Sequence, residues 1–320
     1  MIDVRARLTD AELPRLLERL GFRGQDVDDA LAAAATVAAD PERRGRVERL
    51  AEALVARIGD VPTNSGHDGS QPFGSPDAAE MHDEAPDGSD APGGPRGAGR
   101  GLGVLPLLAL VVTAAEVHEY HRGRGIDDDT AWRSLSDLGQ QVWVHRQTYG
   151  SFGLHTQEWL LVAWSGALHW LGRLQFELTR DPDAAGHSEN PEPVALATHV
   201  PQSGPLTPES VDDAFAQARR FVAEHYPELT VTSFTCDSWL LDPELAAALP
   251  PGSNITAFQR RWQLTEEARV GDEDALFFTF RRRGSVDLDS LPQTTSLERA
   301  VVGRLRRGEH WTLRTGRLAF

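Results

Sequence analysis

The stretch VALATHVPQSGPLTPESVDDAFAQARRFVAEH, Val194 to His225, contains a strand, a turn and a helix in direct succession. Val194, Leu196, Thr198 and Val200 alternate with Ala195, Ala197 and His199, which is the period of a strand. Pro201 to Leu206 is made of turn formers. Thr207 then stands as an N-cap with Pro208 at the first helical position, and Val211, Phe215, Ala218 and Val222 recur on one helical face. Such a succession can aim free backbone N–H groups and the positive end of a helix dipole at an anion. Glu209, Asp212 and Asp213 argue the other way, because acids in the first turns already satisfy the dipole and repel a phosphate. A plain capped helix is therefore the competing reading.

On the C-terminal side, Leu229 to Leu241 reads as a strand, followed by a helical piece and by SNITAF, Ser253 to Phe258. WQLTEEARV (from Trp262) and ALFFTF (Ala275 to Phe280) read as further strands, and a helix is expected near Ser296 to Arg307. On the N-terminal side, LHWLGRLQFEL (Leu168 to Leu178) reads as a strand. Everything before it is helical in pattern: Ala11 to Leu20 opened by a Thr9/Glu12 capping box, Asp26 to Ala39, Glu42 to Ile58, and from Leu102 on to Tyr149. Val61 to Arg100 is Gly, Pro, Ser and Asp with hardly an aliphatic side chain, so an insertion too poor in apolar surface to order itself is expected at 61–100. The fold class that follows is α+β: a helical N-terminal domain over 1–155, then a mixed-sheet α/β domain with a C-terminal extension over 156–320.

Composition narrows the chemistry. The 32 basic residues are all arginine and face 48 acidic ones, a net charge of −16 that repels nucleic acid. Without lysine there is no P-loop lysine, no Schiff-base lysine for pyridoxal phosphate and no kinase strand lysine. The single cysteine, Cys236, cannot form an internal disulfide or a cysteine-rich zinc site. The N-terminus lacks the pattern of a signal peptide, and the longest apolar run, Leu102 to Ala115, is short of the ~20 residues a bilayer span needs. A cytoplasmic protein with no membrane partner is expected; oligomeric state is not readable.

Three local motifs carry little. Gly150-Ser151-Phe152-Gly153 has the wrong spacing for a nucleophile elbow. His118 and His121 in VHEYH are one residue too close for H-E-x-x-H and have no third ligand in register, so no metal is expected. Arg96 to Gly101, RGAGRG, fits R-x-x-G-x-G, but it ends a Gly/Arg-rich linker with no strand before it.

LGRLQFE (Leu171 to Glu177), the block His199 to Leu206, CDSWLLDPEL (Cys236 to Leu245), SNI (Ser253 to Ile255) and LPQTTSLERA (Leu291 to Ala300) together resemble acyltransferases that pair a helical N-acyltransferase N-terminal domain with a GNAT-like C-terminal domain. The resemblance implies transfer of an acyl group, expected to be acetyl, from acyl-CoA to an amine on a small molecule or peptide. It also implies two central strands that splay so that pantetheine can add to one of them. These would be Val194 to Val200 and Leu229 to Asp237, with the coenzyme held by Val200, Pro201, Ser203, Gly204 and Leu206 and by Asn254. His199 and Asp237 are the implied catalytic pair, a base for the amine and an acid for the thiolate. Arg173 and Glu177 are candidate acceptor contacts, or simply an Arg–Glu pair on a strand face.

Two features depart from the GNAT pattern. None of Tyr120, Tyr149 and Tyr226 lies on the helix after the second splayed strand, where a tyrosine often donates the proton. The block His199 to Leu206 also holds a single glycine. A second reading, a GNAT-shaped module that binds an acyl-CoA or small ligand without turnover, therefore stands beside the enzyme.

Overall fold

The computed structural model describes residues 2–63, 103–181 and 193–320. From residue 64 onward the insertion expected at 61–100 lies outside them, as does RGAGRG up to Gly101. The chain forms two compact units, Met1–His169 and Trp170–Phe320.

The first unit is helical: α1 Val4–Leu8, α2 Leu13–Arg19, α3 Gln25–Ala39, α4 Pro41–Val55, α5 Val104–Gly123, α6 Asp128–Leu135, α7 Asp137–Tyr149 and α8 Gln157–Trp164. Its centre is α5, buried on all sides from Leu105 to Ala114, as an apolar helix without a polar face must be. Trp164 is fully buried beside it and donates its indole N–H to Leu110 O at 2.9 Å and Thr113 Oγ1 at 3.1 Å, so this large side chain leaves no buried donor unpaired.

The Thr9/Glu12 capping box does not form. Thr9 instead closes the short α1, its hydroxyl donating to Arg5 O at 2.9 Å, and α2 starts without a side-chain cap. The long pattern up to Tyr149 is three helices, because the chain turns at Arg124–Asp127 and at Ser136. No helix of the described residues is long and apolar enough to cross a membrane.

The second unit is built on a mixed sheet: β1 Leu168–Leu171, β2 Leu174–Arg180, β3 Val194–His199, then α9 Pro208–His225, β4 Val231–Ser238, α10 Pro243–Ala248, α11 Asn254–Gln259, β5 Gln263–Val270, α12 Asp272–Phe280, α13 Ser296–Arg306 and β6 Thr312–Ala319. The spatial order is β1-β2-β3-β4-β6-β5. Only β3 and β4 pair in parallel; β2/β3, β4/β6 and β5/β6 are antiparallel. The capped start read at Thr207 is present, with Thr207 Oγ1 accepting from Ser210 N at 3.2 Å and Pro208 at the first helical position. Phe215 of α9 packs on Phe176 and Phe234 with ring centroids 5.8 and 4.7 Å away, and pairs in this geometry add about 1 kcal/mol each to their burial. A second cluster, Trp239, Leu245, Leu249, Ala275, Val301, Trp311 and Leu313, holds the C-terminal helices.

Three strand assignments change. LHWLGRLQFEL is two strands, since Gly172 takes φ +58 and reverses the chain. ALFFTF lies within α12, because Asp272, Glu273 and Asp274 in the first turn sit beside the helix's positive end and favour a helix over a strand. The unread β6, rich in Thr and Arg, is an interior strand between β4 and β5. A Cβ at its Gly316 would come within 2.8 Å of Trp262 Cβ, so the glycine permits close packing there.

Candidate functional site

The β3/β4 ladder pairs Ala195 with Ser233, Leu196 with Phe234 and Ala197 with Thr235, and then stops. Beyond it β3 continues only on β2, pairing His199 with Gln175, and β4 continues only on β6, pairing Asp237 with Thr315. The two parallel strands therefore part at their C-terminal ends, as the resemblance implied. Ala197 and Thr235 are side by side, so His199 and Asp237, two residues further on, point to the same face at the two sides of the opening.

That face carries a row of paired polar side chains. Glu177 is the β2 partner of Ala197 and lies diagonally from His199, a reach long side chains can span. Its Oε2 stands 3.0 Å from His199 Nε2. A carboxylate can only accept, so His199 donates from Nε2, which sets the tautomer. Asp237 is engaged on both oxygens: Arg269 Nη2 donates to Oδ2 at 2.6 Å and Thr315 Oγ1 to Oδ1 at 3.3 Å. His199 and Asp237 thus share a face and an end of the sheet but have different partners. With both oxygens engaged, Asp237 ties β5 and β6 to β4. Further along the row, Arg317 grips the buried Asp181 through Nη1 at 2.6 Å and Nη2 at 3.2 Å.

The opposite face is apolar, and Cys236 is on it, 2% exposed. Burial, and then the neighbouring Asp237, push its thiol well above the ordinary cysteine range. A protonated, enclosed thiol is no nucleophile.

The expected coenzyme loop follows β3. Val200 and Pro201 are half-buried, Ser203 and Gly204 are exposed, and Leu206 is buried as the anchor of the loop. Arg173, in the β1–β2 turn, does not pair with Glu177. Its guanidinium donates to three loop carbonyls instead: Pro201 O at 2.8 Å, Gly204 O at 2.9 Å and Pro205 O at 3.1 Å. A planar fork that binds three carbonyls fixes the loop's curvature. Gly204, at φ +123, is where that curvature needs a residue without Cβ.

The acids at the start of α9 are answered locally. Arg261 Nη1 donates to Asp212 Oδ1 at 2.6 Å, and Gln217 Nε2 donates to Asp213 Oδ2 at 2.6 Å. Arg281, from the end of α12, donates to Gln202 Oε1 of the loop. Burial pulls the pKa of Arg173 and Arg281 below the usual value, yet a guanidinium keeps its charge. Arginines from three distant parts of the sequence therefore meet at the loop and the first turns of α9, which weakens the charge objection to an anion there.

Asn254 is the first residue of α11. Its neighbour Ser253 is the cap, accepting from Thr256 N at 3.2 Å, so the Asn254 amide is spared that task. His118 stacks on Trp132 with ring centroids 4.3 Å apart, and His121 is fully buried. No group of three or more His, Cys, Asp or Glu among the described residues is placed to hold a metal ion.

Glu177 stands out in the sequence as a candidate acceptor contact or a partner for Arg173, not as the partner of His199, and the contacts of Arg173, Arg261 and Arg281 with the loop and the start of α9 left no local signal in the sequence. They come from sequence separations of 28 to 32 residues for Arg173, 49 for Arg261 and 79 for Arg281.

Residues 11–166 match the N-acyltransferase N-terminal domain family, and residues 168–318 match the GNAT-like C-terminal domain family. Among solved structures, the chain is similar to an acyltransferase in complex with CoA and 10C-teicoplanin, at 32% identity and a TM-score of 0.78, over 97% of this chain and 88% of that one. It is also similar to an acyltransferase in complex with decanoyl-CoA and teicoplanin, at 33% identity and a TM-score of 0.77, over 95% and 86%. An acyltransferase mutant bound to octanoyl-CoA matches at 32% identity and a TM-score of 0.78, over 97% and 88%. A search of curated proteins finds no match to the chain.

Proposed function

We propose a reaction for a chain that belongs to the acyltransferases joining an N-acyltransferase N-terminal domain to a GNAT-like C-terminal domain: transfer of a medium-chain acyl group from acyl-CoA to an amine on a small molecule. The observation that carries it is the parting of β3 and β4 after Ala197 and Thr235, with His199 at the mouth and the Arg173-braced loop just beyond. Pantetheine lies along the free side of β3 past Ala197, with Asn254 as the candidate partner of its amide. The pyrophosphate sits on the loop from Val200 to Leu206 and the N-terminus of α9. The octanoyl- and decanoyl-CoA of the relatives support a longer chain than the acetyl group expected from the sequence, and their teicoplanin complexes support a small-molecule acceptor.

In the transfer, the amine lone pair forms the N–C bond to the thioester carbonyl. The C–S bond then breaks, and its electron pair leaves on the coenzyme sulfur. His199, oriented by Glu177, takes the proton that the nitrogen must lose; sulfur takes up one proton, which closes the balance. Asp237 acts as a positioning residue that keeps the β4 side of the mouth in place through Arg269 and Thr315.

The test has two stages. Melting curves with acetyl-, octanoyl- and decanoyl-CoA should rise most with the longer chains; a Kd one-hundredth of the ligand concentration stabilises by about 2.7 kcal/mol. No rise with any of them overturns the reading. Free-thiol release with a panel of amines then separates the enzyme from the non-catalytic module, which the engaged Asp237 and the missing tyrosine favour: binding without release supports the module.

A further inference from the structure

β5 is antiparallel to β6 and β6 to β4, so β5 runs parallel to β3 and β4. The excursion after β5 therefore leaves the sheet at the same end as the coenzyme loop, and α12 is its first element. It stops at Arg281, whose φ of 57 and ψ of 41 make it the one non-glycine residue with positive φ among the described residues. From there Arg281 donates to Phe277 O at 3.1 Å and to Gln202 in the loop. The Arg283 guanidinium lies 3.9 Å from the centroid of the Phe277 ring, a platform that holds a cation without neutralising it. Arg282 between them is exposed.

No ion pair engages any of the three among the described residues. The acids that follow are occupied, Asp289 by Arg306 at 2.7 Å and Asp287 as the cap of the next turn. The result is an uncompensated triple guanidinium tied to the loop in a chain of net charge −16.

We propose that Arg281, Arg282 and Arg283 form the site for the 3′-phosphate of the coenzyme's adenosine. The assignment rests on the acyl-CoA reading above. The loop N–H groups serve the pyrophosphate, and the next anionic group of the same ligand requires a second cationic site beside them. Guanidinium forks match a phosphate monoester in charge and geometry. Arg281 is also the joint that keeps the arm against Gln202, while Arg282 and Arg283 meet the phosphate.

The experiment is a comparison of Kd for CoA and for 3′-dephospho-CoA on the full chain and on its Arg282→Ala/Arg283→Ala variant. The wild type is expected to prefer CoA by about tenfold or more, and the variant to lose most of that preference through weaker binding of CoA alone. Equal binding of the two coenzymes by the wild type, or an undiminished preference in the variant, overturns the assignment while leaving the acyl-CoA reading intact. Binding of neither coenzyme by the wild type overturns both.

Discussion

Glu177 and His199 sit on neighbouring antiparallel strands, and their side chains meet with Oε2 and Nε2 3.0 Å apart. The carboxylate fixes the imidazole's tautomer and orientation, so the two side chains act as one unit. His199→Ala is expected to lower turnover by about 10² or more, in the range of a lost general base. Glu177→Gln keeps the shape but can present an amide donor where the carboxylate only accepts, so kcat should fall about tenfold with KM for acyl-CoA little changed. A Glu177→Gln kcat equal to that of the wild type would remove Glu177 from this role.

Arg173 braces the loop from outside through three carbonyls. Arg173→Ala should raise KM for acyl-CoA by about tenfold or more, with the thermal midpoint falling only a few degrees. Arg173→Lys should restore little, since one ammonium cannot reproduce a planar fork. Steady-state kinetics of the two variants, with melting curves, check this; full rescue by lysine would show that charge alone is at work.

Cys236 faces the aromatic core. Cys236→Ala should retain turnover within about twofold and cost on the order of 1 kcal/mol for the small cavity it leaves. A folded Cys236→Ala protein without thiol release would give Cys236 a covalent role in the transfer.

His121 is buried in the helical unit, and burial first, then His118, lowers its pKa from 6.5 to about 4. His145 is also lowered to about 4, by burial and then by Arg146. The unfolded chain takes up these protons at higher pH than the folded one. The stabilisation is therefore complete above pH 6.5 and is lost as pH falls toward 4, by roughly 3 kcal/mol for His121. Melting midpoints measured across that window should drop for the wild type and flatten in part for His121→Leu. Parallel curves for the two proteins would count against the assignment.

What could be read without coordinates was local. Val194 to His225 shows its strand by alternation and its helix by cap and face, because backbone conformation there follows from neighbours within about four residues. The resemblance spread over five blocks pointed to the fold, and the parting of β3 and β4 lies within the two strands it singled out. ALFFTF was misread because a short apolar run looks the same as strand or helix until the acids before it are weighed.

The sequence by itself determined the two-part α+β plan, the all-arginine basicity and the strand, loop and helix of the site. Only the tertiary structure decided which charges meet. Arg173 serves the loop and not Glu177, Glu177 serves His199, Arg269 takes Asp237, and Arg261 answers Asp212. These pairs are many residues apart along the chain, so sheet register and helix packing choose among arginines and acids that are chemically alike in one dimension.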